Sequence, residues 1–75
     1  MYKVQSIIFN SKKFSIDESI KWLDARGYRS DRVSTTDRYH RFHQIPIAQL
    51  EDSGLINTRS CHVGDDIELL IYYDK

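Results

Sequence analysis

The sequence predicts an α+β fold: a single small domain in which a mostly antiparallel sheet of four to five strands packs on one main helix, in the order β-α-β-β-(short α)-β-β. Three observations predict it. Apolar and β-branched residues alternate with polar ones near both ends of the chain, as half-buried strands require. Between them one stretch carries a capping box followed by apolar residues at helical spacing. Glycine, proline and short polar clusters then punctuate the remainder into pieces of strand length. With 75 residues the chain has room for one core, and a domain of this size buries roughly 60% of the surface its unfolded chain exposes.

The elements follow in order. Residues 2–9, Y-K-V-Q-S-I-I-F, read as the first strand, and N-S-K-K turns the chain. Ser15-Ile16-Asp17-Glu18 fits a capping box, so a helix starts there. Ile16, Ile20 and Leu23 form one stripe, Asp17, Lys21 and Ala25 face away, and Gly27 ends the helix as its C′ residue. Trp22 lies about 120° from that stripe, which puts it at the edge of the core beside Arg26. Residues 32–36 and 39–45 read as a second and third strand joined through Thr36-Asp37-Arg38, a hairpin connection without glycine. Pro46 fits the first position of a short helix through Leu50, stopped by Ser53-Gly54. Residues 57–62 and 67–73 close the chain as a hairpin around V-G-D-D. In the last strand Ile67, Leu69, Ile71 and Tyr73 mark the buried face.

Composition narrows the function classes. Forty per cent hydrophobic and 12% aromatic residues are those of a folded chain even with 29% charge. Cys61 is the single cysteine, so no internal disulfide forms and a reducing cytoplasm is the expected location. No apolar run approaches the ~20 residues of a membrane span, and the M-Y-K-V-Q-S start lacks the apolar region of a signal peptide. The net charge is zero but uneven: +1 over residues 1–25, +3 over 26–43 and −4 over 51–75. A cationic middle and an anionic tail either neutralise each other in the fold or make a dipolar surface.

Tyr39 to Gln44, Y-H-R-F-H-Q, is the most distinctive stretch. On a strand Tyr39, Arg41 and His43 share one face and His40, Phe42 and Gln44 the other. With Phe42 under the helix, the first three lie on the open face of the sheet. Aromatic rings interleaved with arginine suit protein hot spots and also single-stranded nucleic acid, whose bases stack on rings while arginine pairs with phosphate. A zinc site from His40, His43, Cys61 and His62 conflicts with strand geometry, which sends residues three apart, and adjacent ones, to opposite faces. The same divergence argues against a Cys61–His62 nucleophile pair, and the acidic run Asp65, Asp66 and Glu68 lacks EF-hand spacing. No catalytic residue, metal or cofactor is expected, and a core this small leaves little space for a small-molecule substrate.

Three stretches together resemble a family of small domains in proteins of tailed bacteriophages and large DNA viruses. V-Q-S-I-I-F with a helix ending W-L-D-A-R-G-Y is similar to the family's strand, capped helix with W-L and H-G-Y or H-G-F. V-S-T-T-D-R-Y-H-R-F-H-Q is similar to V-D-x-T-x-x-Y-Y-R-F-R-Q, and R-S-C-H-V-G-D-D-I-E-L-L-I-Y-Y to R-T-x-x-L-G-x-G-I-x-L-V-I-G. The chain departs from the pattern at His40, where a second Tyr is common, at His43, where an Arg is common, and at Asp66 and Tyr72, where glycines are common. The resemblance implies a viral or phage-related source and no catalytic role. The expected function is a non-enzymatic protein-interaction module, self-association included, with weak single-stranded nucleic-acid binding as the alternative; zero net charge favours the former. The candidate binding residues are Tyr39, Arg41, His43, Trp22, Arg26, Arg29 and Arg32.

Overall fold

A computed structural model of the protein describes residues 2–74. Its elements are β1 (Tyr2–Asn10), α1 (Ile16–Ala25), β2 (Val33–Thr35), β3 (Tyr39–His43), α2 (Ile47–Asp52), β4 (Asn57–Gly64) and β5 (Ile67–Tyr73). The strands form one five-stranded sheet in the order β2-β3-β1-β5-β4, every neighbouring pair antiparallel. β1 and β2 therefore run parallel with β3 between them, and α1 links them as a split β-α-β unit. The predicted fold class and element order hold.

Both helices begin and end where local chemistry requires. Ser15 Oγ accepts from the Glu18 amide (3.1 Å) while the Glu18 carboxylate accepts from the Ser15 amide (3.0 Å), a reciprocal capping box. At the other end Gly27 takes φ +77°, and the amides of Gly27 and Tyr28 donate back to Asp24 O and Leu23 O (3.3 and 3.0 Å), a Schellman motif. α2 ends the same way: Gly54 takes φ +81°, with Gly54 N–H to Glu51 O and Leu55 N–H to Leu50 O (2.9 and 3.0 Å). Its Leu50 and Leu55, the apolar pair of this motif, are both buried. Pro46 is the N-cap rather than the first helical residue, and α2 runs on to Asp52.

The core lies between α1 and the sheet: Ile7 and Phe9 of β1, Leu23 of α1, Phe42 of β3 and Ile67 of β5, with Val4, Phe14, Ile20, Trp22, Tyr28 and Leu69 packed around them. Phe9 is its centre, edge-to-face with Phe14, Trp22 and Phe42 at 5.3–5.7 Å. The helix stripe differs from the expected one. Ser19 and Leu23 are buried, Ile20 and Trp22 flank them, and Ile16 in the first turn is 39% exposed. At 100° per residue the contact face is turned roughly 40° toward Trp22, because the largest apolar side chain of the helix draws burial to its side. Ser19 tolerates the interior by donating its hydroxyl to Ser15 O (2.8 Å).

A bulge between Val4 and Ser6 interrupts β1 against β5. It puts Val4 on the α1 side with Ile7 and Phe9, as their partners Ile71, Leu69 and Ile67 show, and leaves Gln5 as the extra residue. Ser6, on the opposite face with Leu70 and His43, is nonetheless fully buried. The segment after β3 closes that end, tied to β1 by the Gln44 amide on Gln5 O (2.7 Å) and Gln5 Nε2 on Ile45 O (3.0 Å).

Candidate functional site

The sheet places the seven candidate residues in three locations. Tyr39, Arg41 and His43 share the face away from α1, and Phe42 lies beneath the helix, as the alternation requires. None of the three stands free of the sheet; all are half-buried. Arg41 donates from Nε to Ser6 Oγ and from a terminal nitrogen to Gln5 Oε1 (3.0 Å each), while Ser6 Oγ also donates to Gln5 Oε1. His43 Nε2 shares a proton with Ser34 Oγ across the β2–β3 ladder (3.0 Å). Tyr39 borders a shallow hollow of about 230 Å³ with Arg38, His62 and the acidic β4–β5 turn. Trp22 and Arg26 are on the other side of the sheet altogether. Tyr28 lies parallel to the indole at 6.2 Å, Phe9 meets its edge, and the Arg26 guanidinium sits 4.0 Å over the ring. Trp22 is thus a covered rim of the core.

Arg29 and Arg32 come to the end of β3 beside His43. Gln44 makes this possible: its side-chain amide accepts from Arg29 N–H and donates to Arg29 O (2.8 Å each), gripping the peptide groups on both sides of that residue. The His43 amide holds Arg32 O (2.9 Å). The resulting cleft, about 430 Å³, is lined by Arg29, Arg32, His43, Gln5, Gln44 and Gln49 and walled by Ile45, Pro46 and Ile47. Arg29 forms a two-point ion pair with Asp31 (2.9 and 3.2 Å), which holds the Asp31 carboxyl below the usual range. The Arg32 guanidinium makes no hydrogen bond or close ion pair among the described residues and acts on Asp31 only at longer range. Burial, then Arg41 and Arg32, holds the His43 imidazole below its ordinary value. These residues stand apart in the sequence, which does not show that Gln44 would collect them, nor that a bulge would aim Gln5 into the same cleft.

The histidines and the cysteine diverge as strand geometry requires. His40 is buried facing α1, bonded through Nε2 to Phe14 O (3.0 Å) and through Nδ1 to Thr35 Oγ1 (3.3 Å); a carbonyl only accepts, so Nε2 carries the proton. Cys61 and His62 lie on opposite faces of β4, paired with Leu69 and Glu68. Among the described residues no three His, Cys, Asp or Glu side chains converge as metal ligands, and no helix is long and apolar enough to cross a membrane.

Sequence reasoning missed the outer end of the sheet. α1 covers β1, β3 and the start of β5, and stops there. The rest of that face, toward β4, is an apolar trough of about 520 Å³ lined by Tyr2, Val4, Tyr28, Leu69, Ile71 and Tyr73, with Cys61 and Arg59 along its β4 side. β4 itself is an edge strand of eight residues, six of them exposed, whereas the opposite edge, β2, has only three residues. The signal was available in β5: Ile71 and Tyr73 lie too far along the strand for a ten-residue helix, about 15 Å long, to cover them together with Ile67.

No protein-family model, curated protein or solved structure matches the chain.

Proposed function

We propose that the protein is a non-enzymatic interaction domain whose partner is a second copy of itself, joined edge to edge through β4 into one continuous sheet. The carrying observation is the unblocked β4 edge of eight residues, next to bare apolar floor, in a molecule whose other edge is three residues long. Long open edges present unpaired N–H and C=O groups that template another strand, and domains that stay monomeric usually blunt them with lysine, proline or brevity. β4 has none of these; its single charge other than histidine is Arg59.

A second copy fits better than an unrelated strand for two reasons. Zero net charge removes long-range repulsion between copies. In addition, β4 has a self-complementary register. A two-fold axis normal to the sheet keeps every side chain on its own face, so residues of like parity must pair. Centring on Ser60 pairs Ser60 with itself, Arg59 with Cys61 of the second copy, Thr58 with His62 and Asn57 with exposed Val63. Centring on Arg59 would set two guanidiniums face to face, and centring on Cys61 would run into the irregularity between His62 and Gly64. One edge buries less than the roughly 1,600 Å² of a standard interface, so a reversible dimer is expected.

Light scattering over a wide concentration range tests this. The wild-type mass should rise from monomer toward dimer, and Ser60→Glu, which opposes two carboxylates at an exposed position, should remain monomeric with an unchanged denaturation midpoint. A wild-type chain that is monomeric throughout refutes the proposal.

A further inference from the structure

We infer that the cleft at the end of β3 is a binding site for a small phosphate monoester, its phosphate held by Arg29 and Arg32 and its organic part resting on the Ile45–Pro46–Ile47 wall. The site is independent of the β4 edge. Its arginines belong to a loop fixed at both the Arg29 and Arg32 peptides by hydrogen bonds from the end of β3, so their backbone is already in place before any ligand arrives. Among the described residues the Arg32 fork makes no hydrogen bond or close ion pair, and Arg29 is paired with Asp31. Guanidinium forks match the oxygens of phosphate in pairs. Charge selects a dianion. Arg29 and Arg32 line the cleft, Arg41 acts on it through His43, Asp31 is the one carboxylate paired with these groups, and no lining residue is acidic; against that sum a monocarboxylate would leave one positive charge uncompensated. The volume of about 430 Å³ lies within the range of small-ligand clefts, and the amides of Gln44 and Gln5 are already engaged in holding the walls, leaving Gln49 and His43 to meet the ligand's polar edge.

The neutral imidazole of His43 follows from the same arrangement. The charged groups that act on it are Arg41 on its own strand and Arg32 on the preceding loop; Arg29, paired with Asp31, lines the same cleft, and α2 contributes only Gln49 and apolar residues to the lining. A bound dianion reverses this balance and should draw a proton onto His43.

The experiment is titration of the protein, observed by amide and histidine ring NMR, with inorganic phosphate, adenosine monophosphate and a short oligothymidylate lacking terminal phosphate, all at one ionic strength. The expected result is saturable shifts confined to residues 29–32 and 43–49, tighter for the monophosphate than for inorganic phosphate. His43 should titrate at higher pH when the ligand is present. Arg32→Ala, at an exposed side chain that makes no hydrogen bond among the described residues, should weaken binding at least tenfold while the other amide positions keep their wild-type shifts, and Ser60→Glu should bind as wild type does. Non-saturating shifts, or equal affinity in Arg32→Ala, overturn the site. An oligothymidylate that binds the same residues more tightly than the monophosphate overturns the small-ligand assignment in favour of a nucleic-acid strand.

Discussion

Arg41 is the middle residue of β3, and its guanidinium lies along the sheet, bonded to Ser6 and Gln5. Both of these are buried, so removing the donor leaves buried acceptors short of partners. Arg41→Ala is expected to cost about 1–3 kcal/mol, read as a lower denaturation midpoint; an unchanged midpoint would mean that water replaces the guanidinium at no cost. The open face of β3 therefore carries part of the stability of the fold. His43 has a related consequence. Its folded value lies below the ordinary 6.5, so the unfolded chain takes up the proton first as pH falls. Stability should decline from about pH 6.5 downward, until the folded imidazole is itself protonated, and His43→Gln should flatten that part of the profile. Glu18 and Asp31 shift the profile in the same direction, at lower pH. The Ser15 backbone and hydroxyl, and the Arg29 guanidinium, keep them below their ordinary 4.5 and 3.8. What they contribute is present above those values and is lost as pH falls through the folded ones.

At the scale of elements, α1 is held by its two ends and one packed face. Ser15→Ala removes the cap and should cost about 1 kcal/mol. Gly27→Ala meets no atom within 4 Å of the new Cβ, so only the left-handed backbone at φ +77° opposes it, roughly 1–2 kcal/mol. Leu23→Ala opens a cavity under the helix and should cost about 2–5 kcal/mol, the largest of the three. Urea denaturation should rank the variants in that order. A Leu23→Ala protein as stable as wild type would be incompatible with the position of Leu23 at the centre of the contact face. The β2–β3 connection does without glycine because Thr36 Oγ1 accepts from the amides of Arg38 and Tyr39 (3.2 Å each) while the Thr36 amide donates to Tyr39 O (2.9 Å); the side chain supplies what a left-handed residue would otherwise provide.

Over the whole molecule, the helix is shorter than the sheet is wide, and that mismatch leaves a covered half and a bare half. The covered half is a core of five buried residues around Phe9. The bare half combines the trough with the β4 edge, and it is where association is expected. Oxidation offers a direct check of the register. With Ser60 opposite itself, the double variant Ser60→Cys, Cys61→Ser should form an intermolecular disulfide readily, whereas wild-type Cys61, opposite Arg59 of the second copy, should not. Rapid cross-linking of the wild type alone would place the axis at Cys61 instead.

The amino-acid sequence by itself determined the elements, because each is written in local chemistry. The capping box at Ser15 and Glu18, glycine after each helix, and the alternation of Tyr39 to Gln44 act within a few residues of where they stand. The side-chain faces of β3 followed for the same reason. Only the tertiary structure decided the rest. Strand order put β4, not the Arg-rich strand, at the open edge. The bulge at Gln5 reset the parity of β1, and the bulk of Trp22 turned the helix by a fraction of a turn. Gln44 gathered Arg29, Arg32 and His43, residues up to fourteen positions apart, around one cleft. These outcomes depend on which surfaces meet across the core, and no short window of sequence contains that information.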